Sequence, residues 1–142
     1  MALAGRPTTV ACRAIGNFTV TVHNALPPLP AEWAEFVEVH RKHPNPDQLR
    51  CLVYTEGGSP NAAQRADLTA ALPHKKMKVS VVTTSVLARA AGTAIAWLVP
   101  NLRMFSPSDF EKALDHISAS GVDRKLLRDA VDQMRRDLSG QT

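Results

Sequence analysis

Cysteines and aromatic residues are scarce in this 142-residue chain, and each shortage removes a class of protein. The two cysteines, Cys12 and Cys51, stand far apart in apolar runs and not in a paired motif. That excludes a disulfide scaffold or a zinc knuckle and matches a reducing, cytoplasmic compartment. Aromatics make up 5% of the residues and recur at no RNA-binding spacing. The one basic patch, His74, Lys75, Lys76 and Lys78, therefore has nothing on which to stack a base, and a nucleic-acid partner is not expected despite the net charge of +4. Long apolar runs are missing as well: the longest near-apolar stretch, residues 90–99, is about half of the roughly 20 that a membrane helix needs. Arg6 and Pro7 interrupt the N-terminus before a signal-peptide core builds up. No internal repeat is present, so a solenoid or propeller is excluded. A chain of this size buries about 70% of its unfolded surface, enough to fold without a cofactor or structural metal.

What remains is patterned as an α/β domain. Residues 8–13 and 18–23 alternate, with Phe18, Val20 and Val22 on one face, and Ile15-Gly16-Asn17 between them marks a β-hairpin. Trp33, Phe36, Val37 and His40 recur at helical spacing and predict an amphipathic helix over 31–43, stopped by Pro44 and Pro46. A strand over 49–55 follows, then Glu56-Gly57-Gly58 as a turn, with Ser59 as N-cap and Pro60 opening a helix that Pro73 ends. A strand over 77–83 leads to a helix capped by Thr84 or Ser85 and running to about Leu98, with Leu87, Ala91, Ala94 and Leu98 on one face. Leu102 to Phe105 forms the last strand, and Ser108 with Glu111 makes a capping box for a helix through His116, with Phe110, Ala113, Leu114 and Ile117 inward. The strand–helix alternation predicts a mixed, mostly parallel sheet covered by helices, with an N-terminal hairpin. Residues 1–7 read as a flexible N-terminus, 8–118 as the α/β domain, and 119–142 as an added amphipathic helix. In that last helix Leu127, Val131, Met134 and Leu138 form a narrow apolar seam. Packed in trans the seam makes a homodimer; packed in cis it belongs to the domain's own core.

Two constellations carry chemistry. Glu56-Gly57-Gly58-Ser59-Pro60 joins backbone freedom to a helix N-terminus at the carboxyl end of a strand, where open α/β sheets bind ligands. Thr83-Thr84-Ser85 with Arg89 occupies the equivalent end of the next strand. If those strands are neighbours, both helix ends and the cations Arg65 and Arg89 converge on one anionic or protein group. Read more plainly, these residues are tight turns with hydroxyl caps, and the arginines are solvated. No nucleotide-cradle or serine-hydrolase motif is present, since Gly58-Ser59-Pro60 does not match Gly-x-Ser-x-Gly. The five histidines lack metal-motif companions; His40 and His43 are assigned to helix-end dipole contacts. Cys12 and Cys51 read as small buried residues.

The order of elements resembles the STAS or SpoIIAA-like family of anti-sigma-factor antagonists, which shares its helix-over-sheet plan with CRAL-TRIO lipid-binding domains. The residues that carry the resemblance are Trp33; Leu52-Val53-Tyr54-Thr55 with the turn and Gln64-Arg65 after it; Val81-Val82-Thr83; Arg89; Met104-Phe105-Ser106; and Ala113-Leu114. The resemblance implies a non-enzymatic regulatory or protein-interaction module. In the family the corner after the matching strand carries an Asp-Ser-Ser/Thr-Gly phosphorylation motif. This chain lacks the paired acid and hydroxyls there, which leaves Ser59 as the phosphorylation candidate. The alternative is a small carrier that binds an anionic metabolite or lipid headgroup at the same helix ends. An enzyme using Ser59 or Glu56 is the weakest reading, because no partner base is in sight.

Overall fold

The computed structural model describes residues 7–71, 77–85 and 101–139. Five strands form one sheet in the order of the chain: β1 (Val10–Ile15), β2 (Phe18–His23), β3 (Arg50–Thr55), β4 (Val79–Thr83) and β5 (Leu102–Phe105). β1 and β2 pair antiparallel across Gly16-Asn17, with Gly16 supplying the positive φ of 56° that the turn requires. The other three pairings are parallel. Four described helices cover this sheet: α1 (Pro30–Arg41), α2 (Ala62–Ala71), α3 (Phe110–His116) and α4 (Gly121–Ser139). The helix expected to carry Leu87, Ala91, Ala94 and Leu98 lies outside the described residues, as do Trp97, Arg89 and the basic residues His74, Lys75 and Lys76. Among the described residues no helix is long and apolar enough to cross a membrane.

The period-two rule sorts the sheet into two faces. Phe18, Val20 and Val22 of β2, with Leu52 and Tyr54 of β3 and Val82 of β4, share one apolar core with Ala113, Leu114 and Ile117 around α3 and with the inner stripe of α4. The other face lies under α1, which packs beside α2, and there β2 presents Thr19, Thr21 and His23, all buried. Strand β2 is thus sealed on both sides, apolar toward α4 and polar toward α1.

The terminal seam lies inside this fold. Leu127, Val131, Met134 and Leu138 are at most 3% exposed, buried against the sheet of their own chain. The trans arrangement that would have made these residues a dimer interface is replaced by cis packing, because the apolar face of β1 and β2 needs this helix as its cover. Arginines hold α4 in place. Arg124 pairs with Glu111 and Asp115, Arg128 pairs with Glu111 and lies over the Phe110 ring, and Arg135 lies 4.4 Å from the Tyr54 ring centroid. Glu111 therefore serves α4, and the capping box expected from Ser108 and Glu111 does not form. A 3₁₀ turn over Pro107–Asp109 leads into α3 instead, with the Ser106 hydroxyl donating to Asp109 at 3.3 Å.

On the opposite face a single carboxylate ties β1 to α1. Glu32, the third residue of α1, is 6% exposed, and its two oxygens accept five hydrogen bonds. The Thr8 amide and hydroxyl donate to Oε2 at 2.8 and 3.0 Å. The Thr9 amide and hydroxyl donate to Oε1 at 2.7 and 2.6 Å, and the Val10 amide at 3.2 Å. Burial works against the charge, but these donors outweigh it and hold the carboxyl below its ordinary 4.5. In Glu32→Gln one carboxylate oxygen becomes an amide that faces donors with donors, so we expect a loss of about 1–3 kcal/mol in urea unfolding at neutral pH. Because the folded carboxyl titrates below the unfolded one, its stabilisation is complete above pH 4.5 and is lost as the pH falls through the depressed folded value. The variant should lack that acid-side slope.

Candidate functional site

The carboxyl ends of the parallel strands lie level. In the parallel register Thr55 pairs with Thr83, and His23 of β2 pairs with Thr55. The turns after β3 and β4 consequently leave the sheet side by side, and they are built alike. The Thr55 hydroxyl accepts the Gly57 amide at 3.1 Å and donates to the Gly58 carbonyl at 2.7 Å. The Thr83 hydroxyl accepts the Ser85 amide at 3.1 Å. Each buried threonine folds its own turn back upon itself.

These bonds change the chemistry expected of the glycines. Gly57 is required for its φ of +125°. Gly58 is required for space: a Cβ there would lie 2.4 Å from the carbonyl oxygens of both Asn24 and Leu26. The amides of Glu56 and Gly58 donate to the carbonyls of His23 and Asn24 at 3.1 and 2.8 Å. With Gly57 bound to Thr55, the amides of residues 56–58 all point into the molecule, and the free donors expected for an anion are absent from this stretch. Helix α2 also begins later than Ser59. Its cap is Asn61, whose Oδ1 accepts the Gln64 amide at 2.8 Å while Gln64 Oε1 accepts the Asn61 amide at 3.0 Å. The reciprocal Asn-x-x-Gln box was present in the sequence but masked by the more conspicuous Ser-Pro ahead of it.

The exposed side chains at this edge are Glu56, Ser59, Arg65 and Thr84. Arg65 turns back to donate to the Pro60 carbonyl at 3.0 Å, and Glu56 faces Arg135 of α4 at 3.6 Å. Beside them the β2–α1 loop exposes Leu26 (55%) and Leu29 (46%), two apolar residues that the sequence reading did not single out. Leu26 touches the turn directly, since its carbonyl is one of the atoms that keep position 58 as glycine. Arg89 lies outside the described residues, so its convergence with Arg65 is not seen.

Beneath this edge, on the α1 side, runs a layer of buried polar groups that sequence periodicity did not reveal. His40 is buried and its Nδ1 donates to the Phe36 carbonyl at 2.9 Å, which replaces the helix-end dipole contact expected for it. His43 lies past the helix end, with Nε2 donating to the Gly16 carbonyl at 2.9 Å. The Thr19 hydroxyl stands 3.0 Å from His40 Nε2 and 2.9 Å from Cys51 Sγ. Burial pushes both thiols up to about 12, which removes Cys12 and Cys51 as nucleophiles. His23, 4% exposed against Trp33, has an Nδ1 without a partner among the described residues, and burial lowers it to about 4.

Taken together, a hairpin, a mostly parallel sheet and helices on both faces make an α/β domain with a SpoIIAA-like fold. The particular likeness is to the crystal structure of an uncharacterised protein of the DUF3478 family with a SpoIIAA-like fold from Shewanella loihica PV-4. The TM-score is 0.52 at 14% identity, over 82% of this chain and 98% of that one. No family model and no curated protein sequence matches the chain.

Two measurements check this geometry. Gly58→Ala must move both backbone carbonyls and should lose at least about 2 kcal/mol in chemical denaturation, although alanine has no polar group to misplace. Protonating His23 is disfavoured in the fold, so stability present above pH 6.5 is lost as the pH falls toward 4, on the order of 3 kcal/mol across that window. His23→Leu should flatten the stability profile between those limits.

Proposed function

We propose that this chain is a non-enzymatic interaction module that recognises a partner protein at the carboxyl edge of its sheet. The partner meets Glu56 and Ser59, the exposed start of α2 with Arg65, and the second turn at Thr84. The observation that carries this reading is the pairing of Thr55 with Thr83, which sets the two turns next to each other. Their backbone is satisfied internally, so recognition falls to side chains, and those are mixed: charged Glu56 and Arg65, polar Ser59 and Thr84, apolar Leu26 and Leu29. A rim of charges around apolar anchors suits a protein surface better than a small anion, which would need the amides that Thr55 and Asn24 have taken. For the same reason no observation favours the carrier of an anionic metabolite or lipid headgroup. Catalysis at Ser59 has no support either, since no hydrogen bond joins that hydroxyl to a histidine or carboxylate among the described residues. Ser59 is exposed, at the corner where related antagonists are phosphorylated, and a phosphate there would place a dianion between Glu56 and Arg65.

Substitution of Gly58 disturbs the fold itself, so exposed positions make the test. Full-length protein and the variants Ser59→Arg and Leu26→Asp should melt within a few degrees of one another. Affinity capture from the source cytosol should recover a partner protein with the parent chain and lose it with both variants. Capture of an identical set of proteins by all three would overturn the placement of the interface.

A further inference from the structure

The buried layer under α1 places two further soft or borderline metal ligands beside one thiol. Cys51 Sγ on β3 lies 3.7 Å from His40 Nε2 on α1 and 3.5 Å from Met77 Sδ, two residues ahead of β4. His40 is already in the tautomer a ligand needs: its Nδ1–H is fixed on the Phe36 carbonyl, which leaves the Nε2 lone pair facing the Thr19 hydroxyl at 3.0 Å and Cys51 Sγ at 3.7 Å. An ion with bonds of about 2.0 Å to nitrogen and about 2.3 Å to sulfur would subtend roughly 120° across the His40–Cys51 pair and roughly 100° across the Cys51–Met77 pair. Both angles lie in the range that ligands of one ion subtend.

Charge decides which ion. The trio holds one ionisable thiol and no carboxylate, and among the described residues no three His, Cys, Asp or Glu side chains gather anywhere. One thiolate neutralises a monovalent cation, whereas a divalent ion would leave an uncompensated charge in a buried site. Thiolate and thioether together select copper(I) over zinc or any hard ion. We propose that His40, Cys51 and Met77 bind a single copper(I)-class ion. On binding, the Cys51 S–H bond breaks, a sulfur–metal bond forms, the proton leaves to solvent, and the metal keeps its oxidation state. The Thr19 hydroxyl, 2.9 Å from Sγ, then donates to the thiolate and stabilises its charge. Met77 is half-buried, which makes it the most exposed of the three ligands.

The test is an anaerobic titration of the full chain with copper(I) against a chromogenic copper(I) chelator. The expected result is one ion bound per chain, one proton released, a thiolate–copper absorption in the ultraviolet, and two sulfurs with one nitrogen by X-ray absorption. Cys51→Ser should abolish binding, Met77→Leu should weaken it by at least about tenfold, and Thr19→Val by about tenfold. Cys12→Ser should bind like the parent. Met77→Leu is close to isosteric at a half-buried position and keeps the test decisive if Cys51→Ser folds poorly. The proposal is overturned if the parent binds no more tightly than Cys51→Ser, if Met77→Leu binds as tightly as the parent, or if Cys12→Ser loses the ion.

Discussion

Strand β2 has no solvent on either side, and most of the architecture follows from satisfying its two unlike faces. Phe18, Val20 and Val22 need an apolar cover, and α4 is the only long described helix able to provide one. Thr19, Thr21 and His23 bury polar atoms in a place without water: α1 and β3 supply partners to Thr19, β1 supplies Cys12 to Thr21, and His23 Nδ1 has none among the described residues. Because the same strand sets the register for β3, and β3 for β4, this double burial also fixes where the parallel strands stop. The candidate interface is thus a by-product of how the centre of the sheet is filled.

Much of this was legible in the sequence because it rests on local periodicity. Alternation in 18–23, the helical spacing of Trp33, Phe36 and Val37, and the prolines and glycines that punctuate the chain were enough for the hairpin and the strand–helix rhythm. The neighbouring placement of the two turns was also foreseeable, since consecutive strands of an α/β sheet usually lie side by side. Element ends drifted by a few residues where two signals competed: α2 starts at Ala62 because the Asn61–Gln64 box prevailed over Ser59 and Pro60.

The rest was hidden because its partners are remote in the chain. Glu32 looks like any acid in a first helical turn, yet its five donors come from residues 22 to 24 positions earlier. Glu111 has the spacing of a capping residue to Ser108, and two arginines of α4 claimed it instead. A seam such as Leu127, Val131, Met134 and Leu138 tells which side of a helix is apolar and nothing about what will lie against it. The same holds for His40, Cys51 and Met77, which come from three separate elements and meet only when the sheet closes.

Arg135 lies on the Tyr54 ring and extends past it. The residue reaches the Glu56 carboxylate from near the end of α4, so the last turns of that helix and the edge proposed as the interface share one electrostatic contact. A guest that claimed Glu56 for its own cation would undo this contact, and a loosened terminal helix would in turn free Glu56 for a guest. By reciprocity the two events would help each other to the same extent, so docking at one end of the sheet would be felt in the cover over its apolar side.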